Sequence, residues 1–259
     1  MTAEPTRPPF SVAVRAAVDA ARVQVAALHA ELPRWDLVVW TAGNVSQRVV
    51  VDPAAGPGPD DLLVIKPSGV TYDELTPDAM VVCDLDGNLL EGERSPSSDT
   101  AAHAYVYRSR PDLGGVVHTH STYATAWAAR AEEIPCVLTM MADEFGGPVP
   151  VGPFAIIGDD SIGRGIVETL EGSRSPAVLM RNHGPFTVGR DAKAAVKAAV
   201  MLEEVARTIH ISRQLGEPLP IDPVDVDRLY DRYQNVYGQG PASGADAAGP
   251  ATNAEEARA

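Results

Sequence analysis

Hydrophobic positions along the chain fall into helical and strand-like runs separated by Gly, Pro and Asp. An Ala/Val-rich stretch of helical spacing follows Ser11, a side chain suited to cap it, and predicts a helix that stops before Pro33. β-Branched residues dominate 37–51, with Thr41 to Ser46 inserted as a loop between apolar runs. Leu62 to Ile65 reads as a short buried strand, and 80–92 as a hairpin turning at Asp86-Gly87. A helix is expected between Thr100 and Pro111, then a strand through Val116 and Val117, then a helix from Ser121 to Arg130. Residues 134–141 read as a further strand ending at Ala142-Asp143-Glu144-Phe145-Gly146-Gly147. A helix over 161–170 and a strand over 177–180 follow. A long helix to Leu215, closed by Gly216, and a last helix over 225–233 complete the pattern. Residues 1–10 are expected to be a flexible arm, 11–239 one domain, and 240–259 a disordered tail, since the tail lacks apolar periodicity.

Charge narrows the functional classes. Against 35 acids stand 21 Lys and Arg, a net charge of -14, which argues against a nucleic-acid or anionic-membrane surface. An anionic substrate then needs a local cationic site. Cys83 and Cys136 sit in apolar contexts without C-x-x-C spacing and read as reduced core residues, as in the cytoplasm. The amino terminus shows neither a leader pattern nor an apolar stretch of membrane-spanning length, so a soluble cytoplasmic protein is expected.

The candidate chemistry gathers at strand ends. His118 and His120, two apart, would share a face, and His183 follows the apolar run 177–180. Three imidazoles at strand ends can converge on a metal with a position left open, whereas an isolated H-x-H pair is more often hydrogen-bonded surface. Gly43-Asn44 offers either a loop that approaches a ligand closely or an ordinary hairpin turn. Lys66-Pro67-Ser68-Gly69 supplies a cation, a hydroxyl and free N–H groups suited to phosphate, although a solvated lysine beside a turn is the commoner case. Ser97, Ser98 and Asp99 crowd a helix start. Capping explains one of them; the others are free to touch phosphate, substrate or metal. His103 lies one helical turn beyond Asp99 and reads as packing or as a partner behind the site. Asp143 and Glu144 read equally as catalytic or as loop acids.

Taken together, GNVS (43–46), IKPSGV (65–70), PSSDT (96–100), VVHTHS (116–121), ADEFGG (142–147), NHGPF (182–186) and VYGQ (236–239) resemble the class II aldolase and epimerase family. The likeness runs from about Ser11 to Gln239. It implies a three-layer α/β/α fold with a largely antiparallel central sheet, assembled as a homotetramer with active sites between subunits. It implies zinc, or Mn2+ or Co2+ in its place, on His118, His120 and His183 with Asp99 as fourth ligand. Gly43, Asn44, Lys66, Ser68, Gly69, Ser97 and Ser98 would then hold a phosphorylated ketopentose, and Asp143 and Tyr237 would move protons, Tyr237 from a neighbouring subunit. Asp99 stands where the L-fuculose-phosphate aldolase branch carries Glu, and that branch has no aspartate matching Asp143. Both positions favour the branch that epimerises L-ribulose 5-phosphate over a sugar-phosphate aldolase or dehydratase. A non-catalytic, adducin-like interaction protein would be expected to have lost metal ligands that are all present here.

Overall fold

The structure, a computed structural model, describes residues 10–236. All but Phe10 of the arm expected over 1–10, the tail over 240–259 and Tyr237 lie outside the described residues. Helix α1 (Val12–Arg34) begins at Ser11, whose hydroxyl accepts from the Val14 N–H at 3.2 Å. The helix runs through Pro33 rather than stopping before it. A proline at the next-to-last position of the helix removes a single intrahelical donor, and the Trp35 N–H still closes on the Glu31 carbonyl at 3.1 Å.

Four strands follow: β1 (Asn44–Val49), β2 (Leu62–Ile65), β3 (Val81–Asp84) and β4 (Leu89–Glu91), the last two joined by the expected hairpin. Helix α2 (Thr100–Ser109) leads to β5 (Gly115–His118), α3 (Thr122–Ala129) and α4 (Thr139–Phe145). Strand β6 (Val151–Gly152), α5 (Ser161–Leu170), β7 (Ala177–Met180) and β8 (Gly184–Gly189) come next. Helices α6 (Ala192–Leu215) and α7 (Pro223–Asn235) close the described chain. Two expectations change. Asn44, Val45 and Ser46 belong to β1 instead of the loop before it. The strand expected over 134–141 is absent: Ile134 makes one isolated bridge to Val149, and the chain then coils into α4. An apolar run alone does not separate a buried strand from a buried helix, and here Met141, Ala142 and Phe145 bury at helical spacing. The glycine read as a loop signal is the helix stop, Gly146 at φ 63.

The strands form one sheet in the order β4-β3-β2-β1-β5-β8-β7-β6. Every neighbouring pair is antiparallel except β6 with β7. Side chains alternate across it, so each strand serves two helical layers. Leu63, Ile65, Val81, Val116, Val178 and Phe186 pack against α2 and α5. On the opposite face Leu62, Val64 and Val82 meet α1, while Val45 and Val117 meet α6. The expected three-layer α/β/α architecture with a mainly antiparallel sheet is therefore the observed one. Cys83 is buried and Cys136 half-buried, both as free thiols, and burial pushes the Cys83 thiol up to about 12. Among the described residues no helix is long and apolar enough to cross a membrane.

Candidate metal and phosphate site

β5 ends on His118, and His120 follows in the loop that the Leu37 carbonyl holds through the His120 N–H at 3.2 Å. His183 sits in the tight turn between β7 and β8, where Asn182 takes φ 58. Because β8 pairs with both β5 and β7, that turn is brought beside the end of β5. The three histidines consequently offer ring nitrogens within 4.8 Å of one another. Their chemistry suits a cation. His118 Nδ1–H donates to the Pro185 carbonyl at 3.0 Å, so its Nε2 carries a lone pair, 2.9 Å from Nε2 of His120. His183 Nε2 is buried without a hydrogen-bond partner. Burial draws all three imidazoles toward neutrality, His118 to about 3, and neutral imidazole is the form that ligates.

Asp99 lies near this group, although its carboxylate is not among the atoms within 4.8 Å of one another. It stands at the start of α2, yet its carboxylate makes no capping bond. One oxygen accepts from the Asn44 amide at 2.7 Å, and the other, Oδ1, is buried and unpaired. Burial alone would raise this carboxyl; the His118 and His103 rings and the Asn44 amide outweigh it and hold it below the usual carboxylate range. A buried, unpaired carboxylate oxygen near three clustered imidazoles, one of them with an unpaired nitrogen, is a donor set fit for a divalent transition metal. The Asn44 amide also donates to Ser97 Oγ at 3.0 Å, tying the start of β1 to the start of α2.

A cavity of about 260 Å³ opens on these groups. Its wall includes the three histidines and Asp99, together with Gly43, Asn44, Lys66, Ser68, Gly69, Ser97 and Ser98. Gly43 has φ +78, and a Cβ there would meet the His118 carbonyl at 2.8 Å, so the loop can lie against β5 only with glycine. Lys66 is buried, its ammonium 2.7 Å from the Thr41 carbonyl and 5.1 Å from the Tyr72 ring. Burial lowers it to about 8, with Asp99 opposing the shift.

Asp143 is not part of this wall. It lies on α4 with Oδ1 buried and unpaired, and its backbone carbonyl accepts from Gln234 of α7 at 3.4 Å. Tyr237, the other expected proton carrier, follows the last described residue. The cavity also contains Thr41, Ala42 and Ile157, which sequence reasoning missed. Only proximity to GNVS could have pointed to the first two, and nothing in the local sequence marks Ile157. A larger cleft, about 700 Å³, lies beside α7 where Lys197 bridges Glu144 at 2.6 Å and Tyr233 at 2.8 Å. It contains none of the histidines.

The class II aldolase and adducin N-terminal domain family matches residues 23–210. An L-ribulose-5-phosphate 4-epimerase, UlaF, of Salmonella paratyphi B is 43% identical over 229 residues, covering 83% of this chain and 97% of that protein. Among solved structures, an L-fuculose 1-phosphate aldolase superposes with a TM-score of 0.74 at 28% identity, covering 83% of this chain and 96% of its own. YgbL of Klebsiella pneumoniae, described as a putative aldolase/epimerase/decarboxylase, gives 0.69 at 27% identity, over 82% and 98% of the two chains.

Proposed function

Because the chain belongs to the class II aldolase and adducin family, we propose that it is a metal-dependent epimerase interconverting L-ribulose 5-phosphate and D-xylulose 5-phosphate. The observation that carries this reading is 43% identity along nearly the whole length of a relative named for that activity. Support comes from a single cavity that joins three histidines and Asp99 to Lys66 and a set of hydroxyls. The catalytic unit would span residues 11–239.

The two sugars differ only at C4, whose hydrogen is not adjacent to the carbonyl and lacks the acidity for direct removal. Opening and remaking the C3 to C4 bond avoids that step. His118, His120, His183 and Asp99 would hold the cation, zinc by donor set, with Mn2+ or Co2+ as substitutes. Once bound, it would supply Lewis-acid stabilisation of the negative charge developing as the bond breaks. Lys66, Ser68, Gly69, Ser97 and Ser98, with Gly43 and Asn44, would grip the phosphate. The glycolaldehyde phosphate fragment is thereby retained while its aldehyde turns to present the other face. Asp143 and Tyr237 would exchange the C4 hydroxyl proton on opposite faces. Each site would draw this pair from different chains of a homotetramer.

The structural likeness to an L-fuculose 1-phosphate aldolase favours a second reading, a sugar-phosphate aldolase on the same scaffold. Incubating the purified protein with L-ribulose 5-phosphate separates the two. D-Xylulose 5-phosphate is the expected product, whereas glycolaldehyde phosphate accumulating in its place would establish the aldolase.

A further inference from the structure

Tyr72 opens the short 3-10 turn Tyr72–Glu74 that follows the Lys66 to Gly69 segment, and no role above uses its hydroxyl. Its ring packs against the apolar cluster of Leu32, Leu37, Val45 and Val117, with the Lys66 ammonium 5.1 Å from the ring centre. The hydroxyl donates to the Ala42 carbonyl at 2.8 Å and has the Gly43 carbonyl at 3.3 Å as a weaker second acceptor. The Lys66 ammonium takes the Thr41 carbonyl at 2.7 Å. Three successive carbonyls of a loop that lines the cavity are thus fixed by two side chains of one neighbouring segment.

The loop does not hold this shape by preference. Trp40, just before it, is exposed and takes φ 58, a left-handed conformation disfavoured for a bulky side chain, and Gly43 takes φ 78. The Ala42 N–H closes onto the Val39 carbonyl at 3.1 Å. The next N–H, that of Gly43, donates to no acceptor among the described residues, although Gly43 is buried. A buried backbone N–H left over in this way marks a place for an acceptor from outside the chain. A trans peptide points its carbonyl and its N–H in opposite directions, so the tie between Tyr72 and the Ala42 carbonyl also sets the line of the Gly43 N–H.

We propose that Tyr72 is a positioning residue for the phosphate grip: by holding the Ala42 carbonyl, its hydroxyl keeps the Ala42-Gly43 peptide turned so that the Gly43 N–H is free for a phosphate oxygen. This role rests on the phosphate-binding reading above. Burial raises the Tyr72 hydroxyl above its ordinary range, so the donor stays protonated at neutral and mildly alkaline pH.

Titration calorimetry on the purified protein tests it with phosphoglycolate and glycolate, which differ by one phosphate. Tyr72→Phe keeps the ring beside Lys66 and removes only the hydroxyl. The variant should bind phosphoglycolate about 3- to 10-fold more weakly, the worth of one hydrogen bond, and glycolate as the wild type does. In turnover, KM for L-ribulose 5-phosphate should rise by a like factor with kcat little changed. Unchanged affinity for phosphoglycolate would overturn the proposal, because the loop then keeps its shape unaided. An equal loss for both ligands would overturn it as well, since the hydroxyl would then support the whole site and not the phosphate grip. A wild-type protein that binds phosphoglycolate no better than glycolate would overturn the phosphate reading and this role with it. One that prefers phosphoglycolate yet leaves L-ribulose 5-phosphate unconverted would overturn the epimerase reading alone.

Discussion

The Nε2 atoms of His118 and His120 stand 2.9 Å apart. The Pro185 carbonyl engages the His118 Nδ1–H, so the proton between the two rings must belong to His120 in the metal-free protein. A cation held between the two rings would need the Nε2 lone pair of each, so His120 would carry its proton on Nδ1 when ligating. His118→Ala removes one of the three clustered imidazoles and leaves a void where its buried ring stood, so the remaining ligands lose the spacing that brings them together. Elemental analysis after dialysis should find the variant essentially metal-free; near-stoichiometric metal would contradict the assignment.

Lys66 makes a distinct prediction because it is the buried cation of the cavity. Lys66→Met should raise KM for a phosphorylated sugar by about 10- to 150-fold, the equivalent of roughly 1.5 to 3 kcal/mol for a charge-assisted contact. The unphosphorylated sugar should lose far less. Burial lowers the Lys66 ammonium to about 8, so its charge is present below that pH and lost above it. Substrate affinity should therefore decline as pH rises through about 8 in the wild type, and show no such decline in the variant.

Two buried histidines outside the ligand group, His29 and His103, bear on stability. Burial lowers them to about 3 and about 4, against an ordinary value near 6.5. His29 is paired as a neutral ring, donating from Nδ1 to the Val25 carbonyl at 2.8 Å and accepting from the Val45 N–H at 3.0 Å. Between pH 6.5 and about 4 the unfolded chain binds protons at these positions that the folded chain refuses. Stability of the metal-free protein should accordingly fall as pH drops through that window, by up to about 1.4 kcal/mol per pH unit for each histidine. Urea unfolding at pH 7.5 and pH 5 measures it, and an unchanged or higher midpoint at pH 5 would count against neutral burial.

Asp143→Asn should keep metal and substrate affinity while its turnover drops by roughly 10² to 10⁴, the usual worth of a positioned acid or base. Mixing it with Tyr237→Phe subunits regenerates some intact sites if the two groups of each site come from different chains. Recovered activity on co-assembly is expected. Mixed assemblies no more active than either parent would mean that one chain supplies both.

Much of this was legible because the candidate ligands sit where chain geometry is simple. His118 ends a β-branched strand, and Ser97 to Asp99 precede a regular helix, so periodicity located them. The strand expected over 134–141 gives way to α4 because only Pro135 and Thr139 interrupt an apolar run there, and burial, which decides between helix and strand, is set by contacts with α6 and α7. The polar face of β1 was equally hidden. Ser46 and Arg48 look like solvent-facing strand residues, yet both are buried, Ser46 between His103 and Tyr107 and Arg48 against the Tyr107 carbonyl and Asp61. Local sequence does not say that a facing helix will satisfy them.

The register of the central strands ties the metal group to the order in which the chain folds. Asn44 pairs with His118, and His118 with Phe186, so each contact joins residues about seventy positions apart. Closing loops of that length carries an entropic cost that local helices avoid, and contacts of this kind form slowly. All four candidate ligands lie between the start of α2 and the turn before β8, and Asn44 at the start of β1 holds Asp99, so the set is complete only when β1, β5 and β8 have paired. Metal capture would thus be a kinetic reporter of completed sheet assembly, silent in any intermediate that has its helices but has not yet zipped β1, β5 and β8.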